Sequence, residues 1–410
     1  MLTVRALGRY IYMAPLFTTT KTLSQALYRR SRYDTTMAED LRSQWRNPSD
    51  ILSLLLIIGG DVVQKALAQQ TGDRWPSPVA FSFGWVAYSF AGLLSAVSDN
   101  LLLPDPDYPV TVLTIPTGHE RSNRSWILGR LLRDYEKLWM PKEVRDSLEV
   151  MLSKTGQENG EGRRRKAGLC ISVFEASQDA EAGVPFRDIY WKSGYFVVLF
   201  QLSIAAIPWG IWGAWDVFAI TVGGTLLAYI TEILPQWRRE RWQCRKNSKK
   251  TVVLCRGNGA QHALVILGSG RGLDLEDLAA SGDGIGATWV TRWSYAILLM
   301  LWVVLLITVS GIKEHTWFLV AIGAFGMLHT VVIAGSARRP EAFGIPLKFK
   351  NVFVQPKVSE SLRLVELEYP TVGNLMMKMF LPGGARLKNE GDRLQDEDLN
   401  LAGSELSTPM

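Results

Sequence analysis

The sequence predicts an all-α transmembrane bundle, with about six membrane-spanning helices as three hairpins and a small mixed α/β cytosolic cap built from the long loops. Three observations predict it. Six mostly apolar stretches lie in three close pairs between residues 51 and 335. Nearly all Lys and Arg fall outside those pairs, on what would be one face. The segments between the pairs carry amphipathic and β-type runs, the pattern of folded structure.

The stretches are Ile51–Ala68, Val79–Ser98, Gly194–Trp212, Asp216–Leu234, Ser294–Ile312 and Thr316–Gly335. Each holds about 18–20 residues, enough for a helix rising 1.5 Å per residue to cross ~30 Å of hydrocarbon. A bilayer core leaves no water for stray backbone groups, so helices are the spanning form. Val79–Ser98 and Ser294–Ile312 carry no charge, Asp216 and Glu232 sit near the ends of the fourth stretch, and Asp61 and Lys65 interrupt the first. Residues 51–98, 194–234 and 294–335 are thus expected as hairpins, and 99–193 and 235–293 as cytosolic loop regions. Residues 1–50 form a basic N-terminal segment, 336–387 a cytosolic C-terminal region, and 388–410 a polar, acid-rich tail expected to be disordered.

Charge sets the orientation. With six spans, 42 of the 45 Lys and Arg share one side, and only Lys65, Arg74 and Lys313 lie elsewhere. The positive-inside rule then places both termini and both long loops in the cytosol. Residues close to the spans count most, and Arg42, Arg46, Lys192, Arg238, Arg239, Arg241, Arg292, Arg338 and Arg339 all flank that side.

Composition agrees. The chain is 47% hydrophobic, and its mean hydropathy of +0.06 lies between a soluble enzyme and a transporter that is almost all membrane. Among 15 Trp, an interfacial belt is expected from Trp209, Trp212, Trp215 and Trp317 on the far side, and from Trp191, Trp237, Trp242, Trp289 and Trp293 on the near side. Cys170, Cys244 and Cys255 lack C-x-x-C spacing and read as reduced thiols. The net charge of +6 suits anionic lipid better than nucleic acid. The first 36 residues hold six basic residues and no acid before Asp34, amid Ser and Thr. That composition fits a mitochondrial transit peptide, a disordered basic tail, or an extension upstream of a working start at Met37.

Within the cap, Ser125–Trp139 and Lys142–Lys154 read as amphipathic helices, and Gly156–Lys166 as a flexible tip. Strands are expected at Val110–Ile115, Leu169–Phe174, Thr251–Cys255, Ala263–Leu267 and Phe349–Val354.

Chemistry is sparse. Gly268–Gly272 fits no phosphate-loop pattern and reads more simply as a turn. Asp105-Pro106-Asp107 resembles a metal pair but sits in a Pro-stiffened linker, and Asp274–Asp277 suits a helix N-terminus. A charge in lipid costs at least ~2.5 kcal/mol, which gives weight to intramembrane Asp61, Glu232 and His329, with Gln201 nearby. Asp61 could relay protons with His329 or Glu232; alternatively Glu232 snorkels to Arg238 and Asp61 pairs with Lys65. Trp237, Arg238, Arg239, Arg241 and Trp242 read as a short helix anchoring at the membrane interface. Asn123-Arg124-Ser125 matches the glycosylation sequon, but a cytosolic loop leaves it unmodified. Four His cannot build di-iron His boxes, and no H-E-x-x-H, H-x-x-x-x-D or G-x-S-x-G motif occurs. No catalytic, cofactor-binding or metal-ligating set is therefore expected, and no cofactor.

The order of motifs prompts a resemblance. Trp45–Asp50 (WRNPSD), Gly59–Gln64 (GGDVVQ), Val79–Tyr88, Asn123–Asp134, Leu234–Arg238 (LPQWR), Arg256–His262 (RGNGAQH) and Gly272–Ala279 together resemble a family of fungal multi-pass integral membrane proteins of uncharacterised activity. The resemblance covers roughly residues 40–385. It implies a membrane location and no activity, with no site residues to carry over; members with this look can lie near specialised-metabolite genes, which motivates an accessory role. The expected function is an accessory or scaffold membrane protein, its partners the lipid bilayer and cytosolic proteins met through the cap, with no nucleic acid. Endomembrane or plasma membrane is favoured over mitochondrial. The alternatives are a proton-coupled small-molecule transporter using Asp61 and a membrane enzyme of unfamiliar type.

Overall fold

A computed structural model describes residues 59–73, 76–98, 100–158, 168–281, 286–312 and 314–381. In chain order its helices are α1 (Gly60–Gln70), α2 (Gly84–Val97), α3 (Trp126–Asp134), α4 (Lys142–Glu158), α5 (Ile189–Trp212), α6 (Asp216–Ile233), α7 (Pro235–Arg241), α8 (Leu275–Ala279), α9 (Trp289–Ser310), α10 (Thr316–Gly335), α11 (Val358–Glu368) and α12 (Val372–Phe380). The strands are β1 (Thr111–Thr114), β2 (His119–Ser122), β3 (Leu169–Ala176), β4 (Lys246–Ser248), β5 (Val252–Cys255), β6 (His262–Leu267), β7 (Gly272–Leu273) and β8 (Leu347–Gln355). The N-terminal segment, residues 51–58 of the first expected span, and the tail lie outside the described residues.

Four helices, α5, α6, α9 and α10, are long and apolar enough to cross a membrane. They contain the third to sixth expected stretches, and α5 and α9 begin several residues earlier, where Asp188 and Thr288 cap them by accepting from the Trp191 and Thr291 amides. Their outer faces expose Phe196, Leu199, Leu226, Met300, Val304 and Leu328, apolar side chains that suit lipid and not water. Trp209, Trp212, Trp215 and Trp317 are exposed at one end, Trp289 and Trp293 at the other. By length, composition and surface these are four candidate membrane-spanning helices, the pattern of an integral membrane protein.

The first expected hairpin takes a different form. Only Gly84–Val97 of the second stretch is helical, at 14 residues about 21 Å long and too short to cross. The C-terminal ends of α1 and α2 lie on the same side of the bundle. Arg241 and Arg338, which follow α6 and α10, donate to the carbonyls of Ala68 and Gln69, and Arg292 at the start of α9 donates to Ala96 O at 3.1 Å. Between them the chain dips inward without helical structure. Pro78 packs on Gly194 near the start of α5, Phe81 on Gly224 and Gly326 halfway along α6 and α10, and Phe83 on Gly323. From the end of α1 the chain thus enters the bundle and returns along α2 to the same side, as a re-entrant segment. Helix α2 climbs back antiparallel to α9, with Trp85 stacked on Trp302 at 5.9 Å and the Tyr88 hydroxyl 2.9 Å from that of Tyr295.

Hydropathy cannot see this dip, because Val79–Phe83 is as apolar as a span. Non-helical backbone is tolerated at membrane depth only inside protein or against water. Here it is inside: Val79, Ala80, Phe81 and Phe83 are buried. Gln201 Nε2 donates to Phe81 O at 2.7 Å and Trp85 Nε1 to Ala80 O at 3.1 Å.

The loops combine into a six-stranded mixed sheet of order β2-β1-β5-β6-β3-β8, in which β3 and β6 run parallel. All five expected strands and both expected cap helices are present. The strands come from all three segments flanking the spans on that side, which ties the whole chain together. One face packs on α3 and α8 through Leu128, Leu131, Leu264 and Leu278, the other on α11 and α12 through Val173, Val265, Leu362 and Met376. Burial on both faces accounts for the nearly unbroken apolar run of β3.

A Cβ on Gly326 would lie 1.8 Å from Phe81 O, a backbone atom with no flexible end to move. Gly326→Val should therefore cost more than the roughly 1–3 kcal/mol of ordinary overpacking. Thermal unfolding in detergent measures this, and a wild-type melting temperature would reject the re-entrant packing.

Candidate functional site

The intramembrane candidates do not converge. Asp61, in the first turn of α1, has a side chain 72% exposed and lies 3.9 Å from Lys65 Nζ one turn on. Among the described residues no hydrogen bond or ion pair joins it to Glu232 or His329. Glu232 is buried beside the Ser77 and Val79 amides of the dipping segment, with Oε1 unpartnered. His329 Nε2 lies 3.0 Å from Ser193 Oγ, and its Nδ1 is buried without a partner. Gln201 splits its amide between Phe81 O and Ile322 O. Glu232 and Gln201 serve the backbone of the re-entrant segment.

The basic–aromatic motif forms the expected short helix, α7, but its residues divide. Arg238 and Arg239 are exposed, while Trp237 and Arg241 are fully buried. Glu240 clamps the preceding connection, with Oε2 accepting from the Leu102 and Leu103 amides at 2.7 and 2.9 Å and Oε1 from Gln236 at 2.9 Å. Burial pushes its carboxyl above the ordinary range, and these donors oppose the rise.

A seam of buried charge joins bundle and sheet. Arg338 grips Asp188 with two 2.7 Å contacts, and its amide donates to Asp134 Oδ2 at 3.0 Å. Arg133 holds the other Asp134 oxygen at 2.6 Å and donates to Ser336 O at 3.0 Å. Arg241 donates to Ala68 O, and burial together with the neighbouring Arg338 pulls its pKa down to about 9. Alternation and hydropathy treat these arginines as flanking positive charge, so their internal role is invisible in sequence.

The remaining motifs are structural. Gly268–Gly272 turns β6 into β7, and the space beside it is about 20 Å³, room for little more than a water. Asp107 pairs with Arg130 at 3.0 Å and Arg133 at 3.8 Å, and no metal-binding group occurs among the described residues. Asp274 caps α8 and meets Lys250 at 3.1 Å, while Asp277 meets Arg245 at 2.7 Å, which holds its carboxyl below the usual range. Asn123 is buried in a turn on Ser125 ahead of α3.

Among the described residues four clefts have ligand size, at about 410, 420, 540 and 580 Å³, and two of them border features described above. One of about 580 Å³ lies where α5 begins and α10 ends, lined by Leu138, Phe186, Ile189, Tyr190 and Arg339. The other, about 420 Å³ and polar, opens at the β5–β6 turn among Tyr108, Glu136, Arg256, Asn258, Gln261 and His262. Burial pulls the His262 imidazole below its ordinary value and Glu136 opposes the shift. In the sequence this pocket leaves one signal, the run Arg256–His262, which by itself carries only a family resemblance. No family model, curated protein or solved structure matches the chain. The resemblance to fungal membrane proteins rests on the motifs alone.

Two measurements check this description. Arg338→Ala should destabilise the protein by roughly 1–3 kcal/mol, because it takes the guanidinium away from half-buried Asp188 and leaves the Gln69 carbonyl without that donor, whereas exposed Arg339→Ala should stay within about 0.5 kcal/mol. Equal effects in detergent unfolding would reject the seam. Burial raises the Cys170 and Cys255 thiols to about 11 and Cys244 to about 12. A raised thiol pKa leaves less thiolate, the reactive form, at pH 8. Iodoacetamide should spare all three until the chain is denatured; rapid labelling of the native protein would contradict the packing.

Proposed function

We propose that this is an accessory or scaffold protein of the membrane, whose bundle fixes an α/β domain in one orientation at the cytosolic face. The observation that carries it is the buried seam of Arg338, Asp188, Asp134 and Arg133, which holds the sheet domain against the ends of the spans. A domain held this way presents its outer surface at a constant height and angle to proteins on the same membrane. That surface includes exposed Leu364 and Leu367 on α11. The cytosolic assignment rests on the basic residues near the sheet-side ends of the spans. In this reading four helices cross, the first expected hairpin is re-entrant, and the host is an endomembrane or plasma membrane. The motif resemblance points to specialised metabolism as the process served.

Transport through Asp61 finds less support, since that carboxylate is exposed and the bundle centre is filled by Phe81, Trp85 and Trp302. Complementation separates the two. In cells lacking the protein, Asp61→Asn should restore the parental metabolite profile, and the double variant Leu364→Glu, Leu367→Glu should not, while melting as wild type. A normally inserted Asp61→Asn that fails to complement would reject the scaffold in favour of transport.

A further inference from the structure

The polar pocket at the β5–β6 turn is built by three elements that bring opposite charges together. The first is a single π-helical turn, Tyr135–Trp139, which continues α3. Such turns insert one residue into a helix and re-aim its side chains. Here the Tyr135 hydroxyl is fixed on Ser172 Oγ at 2.6 Å, and the next residue, Glu136, carries its exposed carboxylate to the pocket rim. The second is His262 at the start of β6, whose side chain is only 7% exposed. Its Nδ1 has no partner, and its Nε2 lies 3.6 Å from Glu136 Oε1, beyond hydrogen-bond range.

The third element is the loop itself. Arg256 is exposed, with its guanidinium 5.1 Å from the Tyr108 ring and no carboxylate paired with it among the described residues. Gly257 and Gly259 take positive φ of 91° and 83°, backbone that side chains resist. The Asn258 and Gly259 amides donate to no protein group among the described residues. Guanidinium, amides and the Asn258 and Gln261 side chains supply more donors than the two oxygens of a carboxylate would use. A phosphate accepts that many. Yet a simple anion would meet Glu136, and a simple cation would meet Arg256.

We propose that this pocket binds a small zwitterion in which an ammonium group is joined to a phosphate. Arg256 and the loop amides take the phosphate, and Glu136 takes the ammonium, with His262 on the floor between them. The same chemistry occurs in free phosphoethanolamine and in the phosphatidylethanolamine headgroup, and the protein sits where it can meet either.

The test uses full-length protein in phosphatidylcholine nanodiscs and calorimetric titration with phosphoethanolamine, ethanolamine and inorganic phosphate. Phosphoethanolamine should bind at least roughly tenfold more tightly than either fragment. Arg256→Gln should weaken phosphoethanolamine and phosphate alike. Glu136→Gln should weaken phosphoethanolamine by a similar factor yet leave phosphate unchanged or tighter. Both side chains are exposed, so unchanged melting temperatures are expected, and Lys249→Gln on a separate exposed turn serves as the charge-matched control. Discs containing phosphatidylethanolamine assign the source: competition identifies the headgroup, and its absence a soluble amine. No binding of phosphoethanolamine at concentrations on the order of 10 mM, equal binding of phosphate alone, or indifference to Glu136→Gln would each overturn the proposal.

Discussion

The structure depends on keeping charge out of water at the boundary between two cores. Arg338, Arg133, Asp134 and Asp188 are worth little as attractions, because desolvating them offsets what they gain by pairing. Their importance is geometric. Arg338 also donates to Gln69 O at the end of α1, and Arg133 shares Ser336 O beyond α10 with the Gln69 side chain, so the charged cluster and the helix ends are held by one set of contacts. Helix α3 shares this role through packing. Trp126 belongs to the bundle core, while Ile127, Leu128, Leu131 and Leu132 belong to the sheet core. One helix of nine residues thus closes two hydrophobic cores at once.

The re-entrant segment obeys the same constraint deeper in. A helix satisfies its own backbone, whereas Pro76–Phe83 must borrow partners from its neighbours. Gln201, Trp85 and Glu232 supply them, and Gly194, Gly224, Gly323 and Gly326 admit the segment between helices. Glu232, which reads in sequence as a possible proton relay, lies in three dimensions against the backbone of this segment.

Much of the fold was legible in sequence. The long apolar runs of α5, α6, α9 and α10 carry their own signal, and so do the five strands, whose β-branched residues and turn glycines are local cues. The non-helical start of the second stretch was hidden because hydropathy scores Val79–Phe83 identically whether it is helical or extended. The nearby warning, Pro76-Ser77-Pro78, lies outside the apolar window. The buried arginines could not be recognised either, since a Lys or Arg beside a span looks the same whether it faces lipid phosphate or an internal carboxylate. The pocket at His262 joins residues from three distant segments, Tyr108, Glu136 and the 256–262 loop, and spacing along the chain carries no trace of that meeting.

The strand order also has a consequence in time. Strand β3 lies between β6 and β8, yet β8 follows the last membrane helix, 171 residues beyond the end of β3. At ribosomal rates of about 5–20 residues per second, β3 waits on the order of ten seconds or more before that edge can be covered. During this interval an apolar strand stands beside the membrane with unpaired amides, a known template for aggregation. The sheet can therefore close only after all four spanning helices have been made.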